Sequence, residues 1–184
     1  MASWQTGASR VVYENPWLTV REDEVIRPDG SPGRYGVVRL NNPAVFVVPV
    51  TDAGEVLLIR QHRYPIGRES LEVPAGGTDG EEPIVAARRE LVEETGHVAE
   101  VWQELGPTYS LNGVSDAPGT IFLARGLSPD PSGRHATTTA EEGITEVRAV
   151  PWAEVIDLVR SGEIHDGETM AALLHAAIAL GRLA

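Results

Sequence analysis

The chain contains no cysteine, which excludes disulfides, thiolate metal sites and cysteine nucleophiles while leaving the redox compartment open. It contains no lysine either. All 15 cationic side chains are arginine, so a phosphate that needs a cation here meets a planar, bidentate guanidinium. No apolar run approaches the length of a membrane-spanning helix, and the opening MASWQTGASR lacks a charged start followed by an apolar stretch. The expectation is a soluble, cytoplasmic protein with no membrane partner. A formal net charge of -12 argues against nucleic-acid binding, which needs a basic patch. The five histidines form neither HExxH nor HxxxH, leaving a zinc site without support.

What is present is one domain's length, 184 residues with 42% hydrophobic content, enough to bury a core unaided. Residues 10 to 40 alternate extended stretches with the turn-rich RPDGSPG, predicting two or three strands around a hairpin. AVFVVPV and EVLLIRQ predict central strands at 44 to 50 and 55 to 61 around an Asp-Ala-Gly turn. LEVPAGGTDGEEP, with three glycines and two prolines, predicts irregular structure. A helix then follows over 83 to 95, because Pro83 suits its first position and Gly96 the residue beyond its end. Further strands are predicted at 119 to 125 and 144 to 150, separated by the long polar loop SPDPSGRHATTTAEEG. PWAEVIDLVRSG and GETMAALLHAAIALGRLA predict two closing helices.

The stretch RELVEETG raises a question, since Glu90, Glu93 and Glu94 crowd the C-terminal turns of the predicted helix, where the helix dipole disfavours negative charge. Ile84, Ala87, Leu91 and Thr95 share one face, flanked by Val85 and Val92, and the glutamates take roughly the opposite third. A solvated acidic face is one explanation. The other is a divalent cation, which would remove the repulsion between Glu90 and Glu94 at i, i+4. Mg²⁺ takes hard oxygen ligands, commonly a few carboxylates with water and substrate phosphates. The preceding glycine-rich loop lets backbone groups approach a metal or a pyrophosphate closely.

Residues 76 to 97 resemble the Nudix box, G-x5-E-x7-R-E-U-x-E-E-x-G-U with U a bulky aliphatic. Glu81, Arg89, Glu90, Leu91, Glu93, Glu94 and Gly96 match it in spacing. The chain departs at two points: four residues, not five, separate Gly76 from Glu81, and His97 stands where an aliphatic is expected. The resemblance implies a Nudix hydrolase with an α/β fold, an α/β/α sandwich with a mixed β-sheet. It implies cleavage of a nucleoside diphosphate linked to another moiety, with Mg²⁺, or Mn²⁺ in its place, as cofactor. By the same resemblance Glu90 and Glu94 are the main metal ligands, Glu93 a further ligand or base, and the Ala75 carbonyl another ligand. Arg89 orients the glutamates through salt bridges, and Glu81 supports the helix from its loop.

Beyond the box, residues 10 to 175 look closest to the ADP-ribose pyrophosphatase group, through LLIRQHRYPIGRESLEVPAG and GEIHDGETMAALLHA. This implies an N-terminal antiparallel β extension over 1 to 43, exchanged between the subunits of a homodimer, and a hydrolase domain over 44 to 184. Arg63 matches a substrate-binding arginine, and Arg34 is a second candidate. Glu72 would touch substrate or metal, and Gly76 would lie against the substrate. Glu141 and Glu142 are both candidates for the general base, the alternative being solvated loop acids. Trp17 is expected to be buried rather than stacked on a base. In SLNGVSDAPG, Asn112 replaces the group's proline and Ala117 its glutamate, with Asp116 one position earlier. GDP-mannose, a dinucleotide or a damaged nucleotide is thus the alternative substrate, and a non-catalytic nucleotide-binding regulator the alternative of another class.

Overall fold

The computed structural model describes residues 3–132 and 143–182, so Glu141 and Glu142 lie outside the described residues. The chain divides into two compact units. One holds the N-terminal segment to Pro43 together with Tyr109–Pro118, and the other holds Ala44–Thr108 and the chain from Gly119 onward.

The first unit is a four-stranded sheet in the order β1-β2-β3-β9. Strands β1 (Gln5–Glu14), β2 (Leu18–Ile26) and β3 (Pro32–Leu40) are antiparallel, and β9 (Ser115–Asp116) lies parallel to β3. All ten residues of β1 are exposed. Trp17, in the turn between β1 and β2, is 73% exposed, which corrects the expectation of burial. Asn15 builds that turn by accepting the N–H groups of Trp17 and Leu18, which leaves the indole facing outward.

The second unit carries a mixed seven-stranded sheet in the order β11-β5-β4-β10-β8, with β6 beside β5 and β7 beside β4. Its strands are β4 (Ala44–Val50), β5 (Glu55–Arg63), β6 (Arg68–Glu72), β7 (Ala75–Gly77), β8 (His97–Tyr109), β10 (Pro118–Pro129) and β11 (Ile144–Pro151). β10 runs parallel to β4, whereas β5 and β7 run antiparallel to β4 and β6 runs antiparallel to β5. Side chains alternate across a strand, and β4 and β10 use both faces. Val45, Val47, Phe122 and Ala124 pack against Ala86, Ala87 and Leu91 of helix α1 (Pro83–Thr95). Val48, Val50, Ile121 and Leu123 join a second core with Val155 and Leu158 of α2 (Trp152–Ser161) and Leu173 and Ala176 of α3 (Gly167–Ala179). The result is an α/β/α sandwich in which both faces of the sheet are covered.

Helix α1 has the predicted limits, with Pro83 in its first turn and Gly96 at φ 71° beyond its end. Its expected core face packs inward, with Ala87, Leu91 and Thr95 buried and Ile84 against them, but the acidic side is not open to solvent. Glu90 and Glu94 are 5% and 2% exposed, whereas Val85 is exposed. A solvated acidic face is therefore overturned: the acidic side packs inward, toward β7. The segment predicted as irregular also contains β6 and β7. β7 forms because its Ala-Gly-Gly backbone pairs with Ala44–Phe46 of β4, where small residues admit the approach.

Candidate active site

The site grows from the crossing of the chain from β6 to β7, at the C-terminal half of α1. Arg89 supplies the compensation that the glutamates require. Its Nε donates to Glu81 at 2.9 Å, its Nη1 to Glu90 at 2.7 Å and Glu93 at 3.1 Å, and its Nη2 to the Gly77 carbonyl at 2.8 Å. The Asp79 carboxylate stands 3.8 Å away. Burial pulls the Arg89 pKa down, but the Glu81 hydrogen bond and the Glu90 charge outweigh it and hold the pKa above the ordinary arginine value. One guanidinium thus ties the helix to the loop before it.

Glu94, one turn beyond Glu90, accepts the N–H of Ala75 at 2.8 Å. Gly76 faces Glu90 so closely that a Cβ there would overlap its carboxylate. The absence of a side chain at Gly76 is what leaves room for a buried acid. Across from this, Glu72 at the end of β6 is 4% exposed and accepts Arg63 Nε on both oxygens, at 3.0 and 3.1 Å, with Nη2 bonded as well. For Arg63 too, burial lowers the pKa while Glu72, and then the charges of Glu94 and Asp166, raise it to a net increase. The Arg63–Glu72 pair and the acidic end of α1 therefore share one electrostatic neighbourhood.

Of the residues singled out in the sequence, Arg63, Glu72, Ala75, Gly76, Arg89, Glu90, Glu93 and Glu94 all belong to this second unit and to this neighbourhood. Arg34 lies on β3 in the first unit, where it faces Glu22 at 3.5 Å. Asp116, in the same unit, faces Arg39 at 3.8 Å, and Ala117 is buried with its carbonyl accepting the Ser110 N–H at 3.1 Å. Among the described residues, no three histidine, aspartate or glutamate side chains converge on one point as a metal-holding group. Thr169 and Asp166, at the start of α3, went unread in the sequence. Their signal was an Asp three residues before a Thr, the pattern of a capped helix start.

A model of the NUDIX domain matches residues 40–173, and a model of the nucleoside diphosphate sugar hydrolase N-terminal domain matches residues 4–38. The chain belongs to the Nudix family. Nudix hydrolases in general work with a divalent metal. The ADP-ribose pyrophosphatase of Bacillus subtilis (strain 168) is 32% identical over 170 residues, spanning 92% of this chain and 90% of that protein. The ADP-ribose pyrophosphatase of Mycobacterium tuberculosis (strain ATCC 25618 / H37Rv) is 33% identical, over 93% and 82%. The GDP-mannose pyrophosphatase of Escherichia coli (strain K12) is 31% identical, over 85% and 81%. The crystal structure of an ADP compounds hydrolase shares the fold with a TM-score of 0.82 at 22% identity, over 98% of this Nudix chain and 95% of that one. No helix among the described residues is long and apolar enough to cross a membrane.

Proposed function

We propose that this Nudix hydrolase cleaves the pyrophosphate of a nucleoside diphosphate sugar, ADP-ribose first among them, in a Mg²⁺-dependent reaction that gives AMP and ribose 5-phosphate. The observation that carries the reading is the burial of Glu90 and Glu94 on adjacent turns of α1, at 5% and 2% exposure, beside a loop whose Gly76 leaves room for Glu90. One Arg89 guanidinium is shared by Glu81, Glu90 and Glu93, so the acids here outnumber the cation that offsets them, and hard oxygen donors suit Mg²⁺ or Mn²⁺. Glu90 and Glu94 would hold the metal, with Glu93 and the Ala75 carbonyl as further donors. When bound, the metal neutralises phosphate charge and makes a coordinated water more acidic.

The chain's own residues do the rest. Arg89 fixes Glu90 and Glu93 in direction through its Nη1, and the Ala75 N–H fixes Glu94. Arg63, held in line by Glu72, offers its guanidinium to the substrate as a fork that matches phosphate oxygens. Glu141 or Glu142 would take the proton of the attacking water. The exposed strand β1, with Val11, Val12 and Tyr13 all open, supports a homodimer in which residues 1 to 43 form the exchanged extension; the cytoplasm is the location we propose for it.

Turnover of ADP-ribose, GDP-mannose and dinucleotides with and without Mg²⁺ tests this reading. AMP release that requires Mg²⁺ and prefers ADP-ribose is the expected result. Preference for GDP-mannose would favour the second reading, which rests on Ala117 standing where the ADP-ribose group carries a glutamate. Nucleotide binding without turnover of any of them would overturn the hydrolase reading.

A further inference from the structure

Between β6 and β7 the backbone leaves one strand partner for another. Glu72 still pairs with Ile59 of β5, whereas Ala75 pairs with Phe46 of β4. At the crossing the Pro74 carbonyl accepts the Val47 N–H at 2.8 Å. Val73, 1% exposed, belongs to neither ladder, and a buried N–H without an acceptor is destabilising. The acceptor comes from a different layer of the sandwich: Thr169 Oγ1 receives the Val73 N–H at 3.2 Å. Thr169 is itself 1% exposed and is fixed by the N-cap of α3, where Asp166 Oδ2 accepts the Thr169 N–H at 2.7 Å. This bond falls one residue after Glu72, which grips Arg63, and two before Ala75, whose N–H grips Glu94.

We propose that Thr169 is a positioning residue for the hydrolysis: through the Val73 N–H it sets the spacing between the Arg63–Glu72 pair and the Ala75–Glu94 contact. It touches neither substrate nor metal. A small displacement of a reacting group lowers turnover steeply while leaving the remote parts of the binding surface in place. The proposal rests on the function assigned above, and its test separates the two.

Thr169→Val keeps the shape of the side chain and removes the acceptor, whereas Thr169→Ser keeps the acceptor. The expected result is a kcat about tenfold lower for Thr169→Val with KM within about twofold, and a kcat near wild type for Thr169→Ser. Amide hydrogen exchange supplies a readout independent of activity. In the wild type the Val73 N–H should be protected like the amides of β4, and in Thr169→Val both Val73 and Ala75 should exchange faster. Unchanged kcat in Thr169→Val despite faster exchange would overturn the positioning role, as would a Thr169→Ser variant as slow as Thr169→Val. Where Thr169→Val fails to fold, rapid Val73 exchange in the wild type overturns the proposal, and protection there together with full activity in Thr169→Ser supports it. A wild type that turns over no nucleoside diphosphate sugar would sink the functional reading, leaving the exchange result to judge the hydrogen bond alone.

Discussion

The Arg63 and Arg89 centres sit in the same unit of the protein and use the same chemistry, yet they are built differently. Arg89 engages all three of its nitrogens, with Glu81, Glu90, Glu93 and the Gly77 carbonyl. Among the described residues Arg63 gives its side-chain hydrogen bonds to Glu72, and its side chain is the more exposed of the two. A guanidinium has five N–H donors in a fixed fork. A centre that has committed them holds a scaffold, whereas one with donors to spare is free to meet a ligand. The lesson is that the number of partners, not the residue type, separates an organising arginine from a binding one.

The comparison sharpens most at Glu94. Glu94→Gln keeps an oxygen for the Ala75 N–H but removes the charge, and is expected to lower kcat by about 10²–10³-fold with the melting temperature little changed; steady-state kinetics beside thermal unfolding checks it. Next come the arginines themselves. Arg89→Gln leaves Glu90 buried without its cation and is expected to cost about 3 kcal/mol of stability, measured by urea unfolding. Arg63→Gln should raise KM about tenfold with a smaller loss of stability, and equal losses in both variants would erase the distinction. Gly76→Ala should lower kcat about tenfold while the fold persists, because the atom that must give way is the flexible end of Glu90.

The smallest effect belongs to Asp166. Burial, and then the neighbouring Glu168, raise its pKa, against the hydrogen bonds to Thr169 that lower it; Arg63, across on β5, feels its charge. A carboxyl whose folded pKa lies above its unfolded value binds more protons when folded, so it subtracts stability as pH rises through that window. Asp166→Asn retains the cap and should therefore raise the melting temperature slightly at pH 7, the gain fading as pH falls toward the ordinary aspartate pKa. Thermal unfolding across pH 4 to 8 reads this directly.

Much of the site was legible before any coordinates. The limits of α1 followed from Pro83 and Gly96, and the central strands from the short apolar runs in AVFVVPV and TIFLA. Helical periodicity placed the core face of α1 but left open whether Glu90 and Glu94 meet solvent or a cation, because a wheel has no term for an arginine that accompanies acids inward. β8 was missed because its thirteen residues mix Glu100, Gln103 and Glu104 with apolar positions that are only partly buried, so no clean period of two emerges. The Thr169 link was invisible for a different reason: it joins residues 96 positions apart, and nothing local in either segment signals the other.

Because one guanidinium serves Glu81, Glu90, Glu93 and Gly77 together, these positions do not vary independently. Once Arg89 is gone, a further change at Glu81 removes a partner that is already lost, and its cost should shrink; with Arg89 present, the same change loosens the grip on Glu90 and Glu93 as well. Contacting groups in one network show such coupling energies of roughly 0.5–3 kcal/mol. In a population of variants, Arg89 would be the position whose loss rewrites the consequences of every other change in the loop.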